Sequence, residues 1–482
     1  MLAGTSAVLP RSLAVLIDEL SATNASVRIP PATNVGLTPR VRRLLDTPVM
    51  ARLSRLSQLG MVSLVYPGAS HSRLEHSLGV YHRATLLLRH LSTHEWFNEH
   101  VDAADRQAFL IAALLHDAGH WPFCHPIEDM GLSDLPRHED RLFDLLQSPV
   151  IADLLRSDWT CTPAEVCALL VSTNDEQSLR PAQQFLRSCL SGPVDVDKMD
   201  YLHRDSLHAG VPYGANFDTE RLTAAMTIHP SRPRLAVGEK GRTAAELMVF
   251  ARYVMFSEVY WHRTVRAATA MLQRSVFLLR HRMDLPASLN QTDAQWTGML
   301  RRAAGGSVCE PMVEGLFGDT RRLYKCVLDA TASSASSNPG SVPDGETTVH
   351  RLLARRPYWY LAAASEKLAD RISRETSAAV HPVDVLIDAP PVKLEVDIDM
   401  DIIGPGRRVR RLADVSPVAA ALAQRQFDDQ VKRVRVFVRP GLRDEFDDRK
   451  FVEHWPRWID EITTELDREL TIAPEPSSGE ST

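Results

Sequence analysis

The sequence lacks several of the signatures that decide a function class early. Its six cysteines (Cys124, Cys161, Cys167, Cys189, Cys309 and Cys326) form no CxxC pair. That argues against a zinc ribbon and against a disulfide scaffold. Reduced thiols in an intracellular, cytoplasmic protein are the simplest reading. No run of about 18 apolar residues occurs, so neither a transmembrane helix nor a membrane partner is expected. The apolar patch SAVLPRSLAVLI near the N-terminus has no basic leading region and no small-residue cleavage site, which speaks against a signal peptide. There is no basic excess either: 55 Lys and Arg face 61 Asp and Glu, a net charge of −6. A global nucleic-acid coat is therefore not expected. No internal repeat is found.

What remains is ordinary globular composition, 44% hydrophobic and 24% charged over 482 residues, enough for roughly two to four folding units. From about Pro39 to Arg280 helical patterns dominate. RQAFLIAALLHDAGH is apolar on every face, as a buried helix is. SRLEHSLGVYHRATLLLRHL is amphipathic and opens after the turn-like YPGASHS. The stretch from AAELMVFARYVM to FLLRHRM holds no internal Gly or Pro and reads as one long helix. ETTVHRLLARRPYWYLAAASEKLADRIS reads as helix, in its second half at least. Further on, DVLIDAPP, LEVDIDMDII and RVRVFVRP suggest strands. They flank a helix around Ser416–Gln430, with Ser416 and Pro417 suited to its cap and first turn. WPRWIDEITTELDREL reads as a last helix. The fold class is thus mainly α, a helical core with a smaller C-terminal α+β region. The expected division is an N-terminal extension over residues 1–38, the core over 39–330, and a Ser/Pro/Gly-rich linker or loop over 331–346. A helical and α+β region over 347–472 and a disordered tail over 473–482 complete it.

Histidine is the informative residue. Ten of the 18 histidines fall between His71 and His138. Neutral imidazole is the common ligand of divalent metals and a common acid or base near neutral pH. His116-Asp117 ends the apolar run AALLHD, where an unpaired carboxylate is costly unless a cation meets it. His120 stands four residues after His116, and Gly119 and Pro122 predict that the helix ends there. Singly, each histidine is more often a satisfied side chain than a ligand. His76, His116, Asp117, His120, His125 and His138 together point to a site.

These residues resemble the HD superfamily of phosphohydrolases, and within it the deoxynucleoside triphosphate triphosphohydrolases related to the SAM-and-HD-domain enzyme. The likeness is an ordered series: DTPVMARLSRLSQLG, VYPGASHSRLEHSLGV, ALLHDAGHWPFCH, RHED, VDVDKMDYLHRDSLHAGVPYG and ARYVMFSEVYWH. It covers residues 39–280 well and 380–440 loosely. The resemblance implies one divalent metal ion (Mn, Fe, Mg, Zn or Ni) on His76, His116, Asp117 and Asp197. It implies catalytic roles for His120, His125 and His138, with Glu128 orienting a histidine. It implies phosphate binding by Arg73, Lys198 and Arg252, and sugar contacts by Gln58, Leu59, Tyr201, Asp205 and Tyr260 that would exclude a ribose 2′-hydroxyl. Two departures stand out. Residues 28–41, RIPPATNVGLTPRV, lack the family's activator-binding motif, and Ser54 replaces an arginine before QLG. No SAM domain is expected from the residues before the match.

The implied function is metal-dependent hydrolysis of deoxynucleoside triphosphates to deoxynucleoside and inorganic triphosphate. An HD hydrolase of another nucleotide phosphoester, monophosphate, cyclic or modified, remains an alternative, as does a nucleotide-binding sensor or scaffold with little turnover. A dNTP or related nucleotide is the implied partner, and a homo-oligomer, dimer or tetramer, is implied by resemblance. The short basic run RRVRR (residues 407–411) favours a solvated strand or turn over a nucleic-acid contact.

Overall fold

The computed structural model describes residues 17–21, 25–170, 178–332, 345–376, 379–389, 400–422, 431–444 and 454–472. The chain is mainly helical, as its periodicity predicts. The apolar run RQAFLIAALL forms the helix Ala103–Leu115, opened by a capping box between Asp102 and Asp105. Every residue from Ala108 to Leu115 is buried, each large one contributing roughly 1.5–3 kcal/mol on burial. Against it pack Arg73–Leu91, capped by Ser72, and through that helix Val196–Ala209, capped by Asp195. The three helices carry the metal-type residues of the sequence at their ends, so the buried core fixes where those side chains meet.

The stretch expected to be one long helix is three pieces. Arg242–Met255 runs into a wide turn over Phe256–Tyr260, breaks at Trp261 and His262, and resumes as Arg263–Leu279 capped by His262. No Gly or Pro marks the break, so the sequence pattern could not reveal it. Trp261 is buried there under Arg266, whose guanidinium carbon lies 4.4 Å from the ring. The later helical segment is also divided, into Gly345–Leu353 and Tyr358–Thr376, around Pro357.

Three small sheets accompany the helices. Ser26–Ile29 and Thr33–Gly36 form an antiparallel hairpin within the N-terminal extension. A four-stranded sheet orders Met226–Ile228, Leu235–Gly238, Asp401–Ile403 and Val409–Arg411, the middle pair parallel. The basic run therefore ends in an exposed edge strand, Val409–Arg411. A three-stranded sheet places the fully buried Val434–Val438 between Lys325–Ala330 and Val385–Asp388. Its far face is covered by Tyr358–Thr376 and Trp455–Ile472, which build a second apolar core around Tyr360, Leu368, Val436 and Trp455. Ser416 caps the helix Pro417–Ala421 by accepting from the Ala419 amide. The remainder of that expected helix, residues 394–399 of the expected LEVDIDMDII strand, most of the 331–346 segment and the tail lie outside the described residues. Among the described residues, no helix is long and apolar enough to cross a membrane.

Candidate metal centre and its cavity

The helix Ala103–Leu115 ends at His116, and the loop that follows carries Asp117 and His120. That loop is held from outside. Arg52 donates to the carbonyls of Ala118 and His120, both at 2.8 Å, and Arg141 donates to the Gly119 carbonyl at 2.8 Å. Gly119 lets the His138–Gln147 helix come this near: a Cβ there would meet the His138 carbonyl at 2.1 Å.

The tautomers follow from the partners. His116 Nδ1 lies 2.9 Å from the Ala113 carbonyl, which only accepts, so Nδ1 carries the hydrogen and Nε2 presents a lone pair. His76 Nδ1 likewise donates to Asp200 Oδ2 at 2.9 Å. The two Nε2 atoms then face each other at 3.2 Å, with Asp197 Oδ1 3.0 Å from one and 3.5 Å from the other. Asp117 Oδ1 lies 3.5 Å from His116 Nε2. Two imidazole lone pairs and two carboxylate oxygens converge on one point, a donor set that fits a divalent cation. The carboxylates make this point favourable for positive charge, whether a proton on His76 Nε2 or a metal ion in its place. Burial alone would lower the pKa of His76, but Asp197 and Asp200 outweigh it and push it up to about 10. Burial would likewise raise Asp117, yet His120, His116 and Arg73 hold it well below the usual carboxylate range.

Asp200 is an outer partner that the sequence reading missed. It holds His76 on one side and Arg204 on the other, through two bonds of 2.8 Å. Gly79 makes the room: a Cβ there would stand 2.1 Å from Asp200 Oδ1. The signal was present, since Asp200 follows Asp197 by three residues and shares its helix face.

A cavity of about 570 Å³ opens onto this point, walled by Arg73, His120, His125, His138, Lys198 and Arg252. Gln58, Tyr201, Arg73 and His125 also line an adjoining space of about 320 Å³ with Leu59, Asp205 and Tyr260. The structure thus brings the residues singled out from sequence to two joined cavities, with Glu128 behind them. Several of these side chains already have partners. Arg73 Nη1 pairs with Asp117 Oδ2 at 2.9 Å, and Lys198 Nζ with Asp195 Oδ2 at 2.7 Å. At the far end the Tyr260 hydroxyl donates to Asp205 Oδ2 at 2.6 Å. Burial first, and the Asp205 charge second, keep that phenol well above its usual range.

The histidines form a second group beside the first. His120 Nδ1 meets Asp117 Oδ1 at 3.2 Å, and its Nε2 lies 3.3 Å from His125 Nε2, a pair that shares one proton. Burial and the neighbouring Arg73 hold the His120 pKa well below its ordinary value, so it stays neutral. Glu128 accepts from the His138 amide at 2.7 Å and from its Nδ1 at 3.0 Å, turning the other ring nitrogen away from the carboxylate.

Comparison with known proteins fits this geometry. The HD domain model matches residues 73–205, and the HD-associated region matches 217–454. An uncharacterized protein of Methanocaldococcus jannaschii is 28% identical over 397 residues, covering 81% of this chain and 74% of that one. One from Bacillus subtilis is 34% identical over 234 residues, 48% and 50% of the two chains. A deoxynucleoside triphosphate triphosphohydrolase of Danio rerio is 25% identical over 346 residues, 62% and 55%. The chain therefore spans only about half the length of the latter two relatives. Among solved structures, a hypothetical protein from Aquifex aeolicus superposes with TM-score 0.64 at 25% identity, covering 88% of this chain and all of that one. A phosphohydrolase from Bacteroides thetaiotaomicron shares the fold at TM-score 0.64 and 20% identity, covering 86% of this chain and all of that one. With an HD domain, the HD-associated region behind it and the HD donor set at their centre, the chain belongs to the HD superfamily of phosphohydrolases.

Proposed function

We propose that the protein hydrolyses deoxynucleoside triphosphates to deoxynucleoside and inorganic triphosphate. One observation carries the reading: the donor set of His76, His116, Asp117 and Asp197 lines the larger of two joined cavities. One is walled by the cations Arg73, Lys198 and Arg252, the other by Asp205, Tyr260 and Tyr201. A triphosphate suits the first and a sugar with its base the second. The likeness to the Danio rerio triphosphohydrolase supports the same choice.

Water attacks the α-phosphorus, the bond to the 5′-oxygen breaks, and that oxygen takes a proton. A divalent ion held by His76, His116, Asp117 and Asp197 would supply Lewis acidity toward a phosphoryl oxygen and acidify water. The chain's own groups do the rest. Neutral His120 accepts a proton, and its Nε2 shares one with His125, whose side chain is half exposed on the cavity. His125 thereby reaches the leaving 5′-oxygen, while Glu128 fixes the ring of His138. Lys198 and Arg252 neutralise the departing triphosphate. Gln58 and Leu59 close on the sugar opposite Tyr201 and Asp205, leaving a 2′-hydroxyl without room or partner.

The test is incubation of the purified protein with each deoxynucleoside triphosphate and with Mn, Mg or Fe, resolving the phosphate products. Release of intact triphosphate is expected. Turnover confined to monophosphates or cyclic nucleotides would replace this reading with another HD phosphoesterase.

A further inference from the structure

His71 is absent from the site as read from sequence, yet a continuous run of side-chain contacts, hydrogen bonds and one ring stack, connects it to the metal-type residues. The run starts at the metal-type ligand His76, bonded to Asp200 at 2.9 Å. Asp200 holds Arg204, and Arg204 Nη1 reaches Glu75 Oε1 at 2.8 Å. The same oxygen lies 2.8 Å from His208 Nε2. His208 stacks on His71, ring centroids 4.3 Å apart and nearly parallel. His71 Nε2 then lies 3.0 Å from Asp205 Oδ1, and Asp205 Oδ2 accepts from Tyr260.

A carboxylate only accepts, so His71 must present Nε2–H to it. Its Nδ1 is then a bare lone pair, and that atom is buried with no partner among the described residues. The ring is held in this orientation by its stack on His208 and by full burial, at the cost of leaving a polar atom unsatisfied. With Oδ1 taken by His71 and Oδ2 by Tyr260, Asp205 is fixed in rotation and kept as a pure acceptor facing the smaller cavity. Only a donor on the substrate suits the lone pairs that remain, and a sugar hydroxyl is the donor a nucleotide offers there.

We infer that His71 is a positioning residue that aims Asp205 at a sugar hydroxyl of the nucleotide, so that recognition of the 3′-hydroxyl depends on His71. The inference rests on the nucleotide reading of the site but not on turnover, and it is tested by binding. Calorimetry on the whole chain compares each 2′-deoxynucleoside triphosphate with its 2′,3′-dideoxy counterpart, which lacks the donor. The wild-type protein is expected to prefer the first by roughly tenfold, the effect of one hydrogen bond to a charged acceptor. His71→Gln places an amide N–H near the position of Nε2 and should keep the preference. His71→Asn falls short of Asp205 and should lose it, with the folded state checked by circular dichroism. A purely structural role would lower stability in both variants without changing the ratio of the two affinities. Equal affinities in the wild type, or an undiminished preference in His71→Asn, overturn the inference. A normal preference together with no triphosphate release overturns the proposed reaction alone.

Discussion

Arg73 and Asp117 divide one carboxylate between two tasks. Arg73 Nη1 holds Asp117 Oδ2 at 2.9 Å, while Oδ1 faces His116 and His120. The pair is almost wholly buried. Removing one partner of such a pair leaves an uncompensated buried charge, which costs about 3–5 kcal/mol. Arg73→Ala is expected to lower stability by that order in urea denaturation and to abolish triphosphate release. Arg73→Lys, which keeps the charge but not the planar fork, should regain most of the stability and little of the activity.

Asp200 lines neither of the two joined cavities, yet it fixes the tautomer of His76. Outer partners of this kind are worth about 10–100-fold in metal affinity. Asp200→Ala should reduce the metal retained after dialysis by that factor, measured by mass spectrometry of the bound elements. Asp200→Asn, whose amide can still bond the ring, should lose less. Equal retention in both variants would show that Asp200 serves only Arg204.

Much of this site was legible from the sequence because its residues sit at fixed distances from helix ends. His116-Asp117 after an apolar run is a local pattern that survives into the structure, and Asp197 was implied by the family resemblance. Asp200, Arg204 and His71 were not legible in the same way. Apart from the three-residue step from Asp197 to Asp200, their roles come from contacts across 124 to 134 residues of chain. The break at Trp261 escaped for a related reason. Neither Gly nor Pro causes it. The stacking of Arg266 on Trp261 and the bidentate pairing of Arg266 with Asp388 hold the kinked geometry from outside the helix. The strand Lys325–Ala330 shows the same limit, since its partner Val434–Val438 lies about a hundred residues away.

On the proposed reaction, Glu128 serves proton transfer and not metal binding. It bonds His138 but stands outside the donor set of His76, His116, Asp117 and Asp197. Glu128→Gln is expected to leave the metal content unchanged and to lower kcat by about 10²-fold, the lower end for loss of an oriented acid or base. A parallel fall in metal content would assign Glu128 to the metal instead.

The N-terminal extension is tied to the core by Glu19, which accepts from Thr38 Oγ1 at 2.7 Å and from Arg40 Nε and Nη2 at 2.8 and 2.6 Å. Burial would raise its pKa, but Arg40 and Thr38 prevail and hold it below 4.5. A carboxylate with a depressed folded-state pKa stabilises fully above its ordinary value and less as pH falls through the depressed one. Glu19→Gln should therefore cost about 2 kcal/mol at neutral pH. The difference from wild type should shrink below about pH 4. Denaturation midpoints at the two pH values check the sign.

The most direct measurement takes metal content and product from one preparation. The account predicts a divalent ion bound by the wild-type protein and absent from His116→Ala and Asp117→Ala, with intact inorganic triphosphate released from a deoxynucleoside triphosphate by the wild type alone. A metal-loaded wild-type protein that releases pyrophosphate or phosphate instead, or that turns over no deoxynucleoside triphosphate, would contradict it.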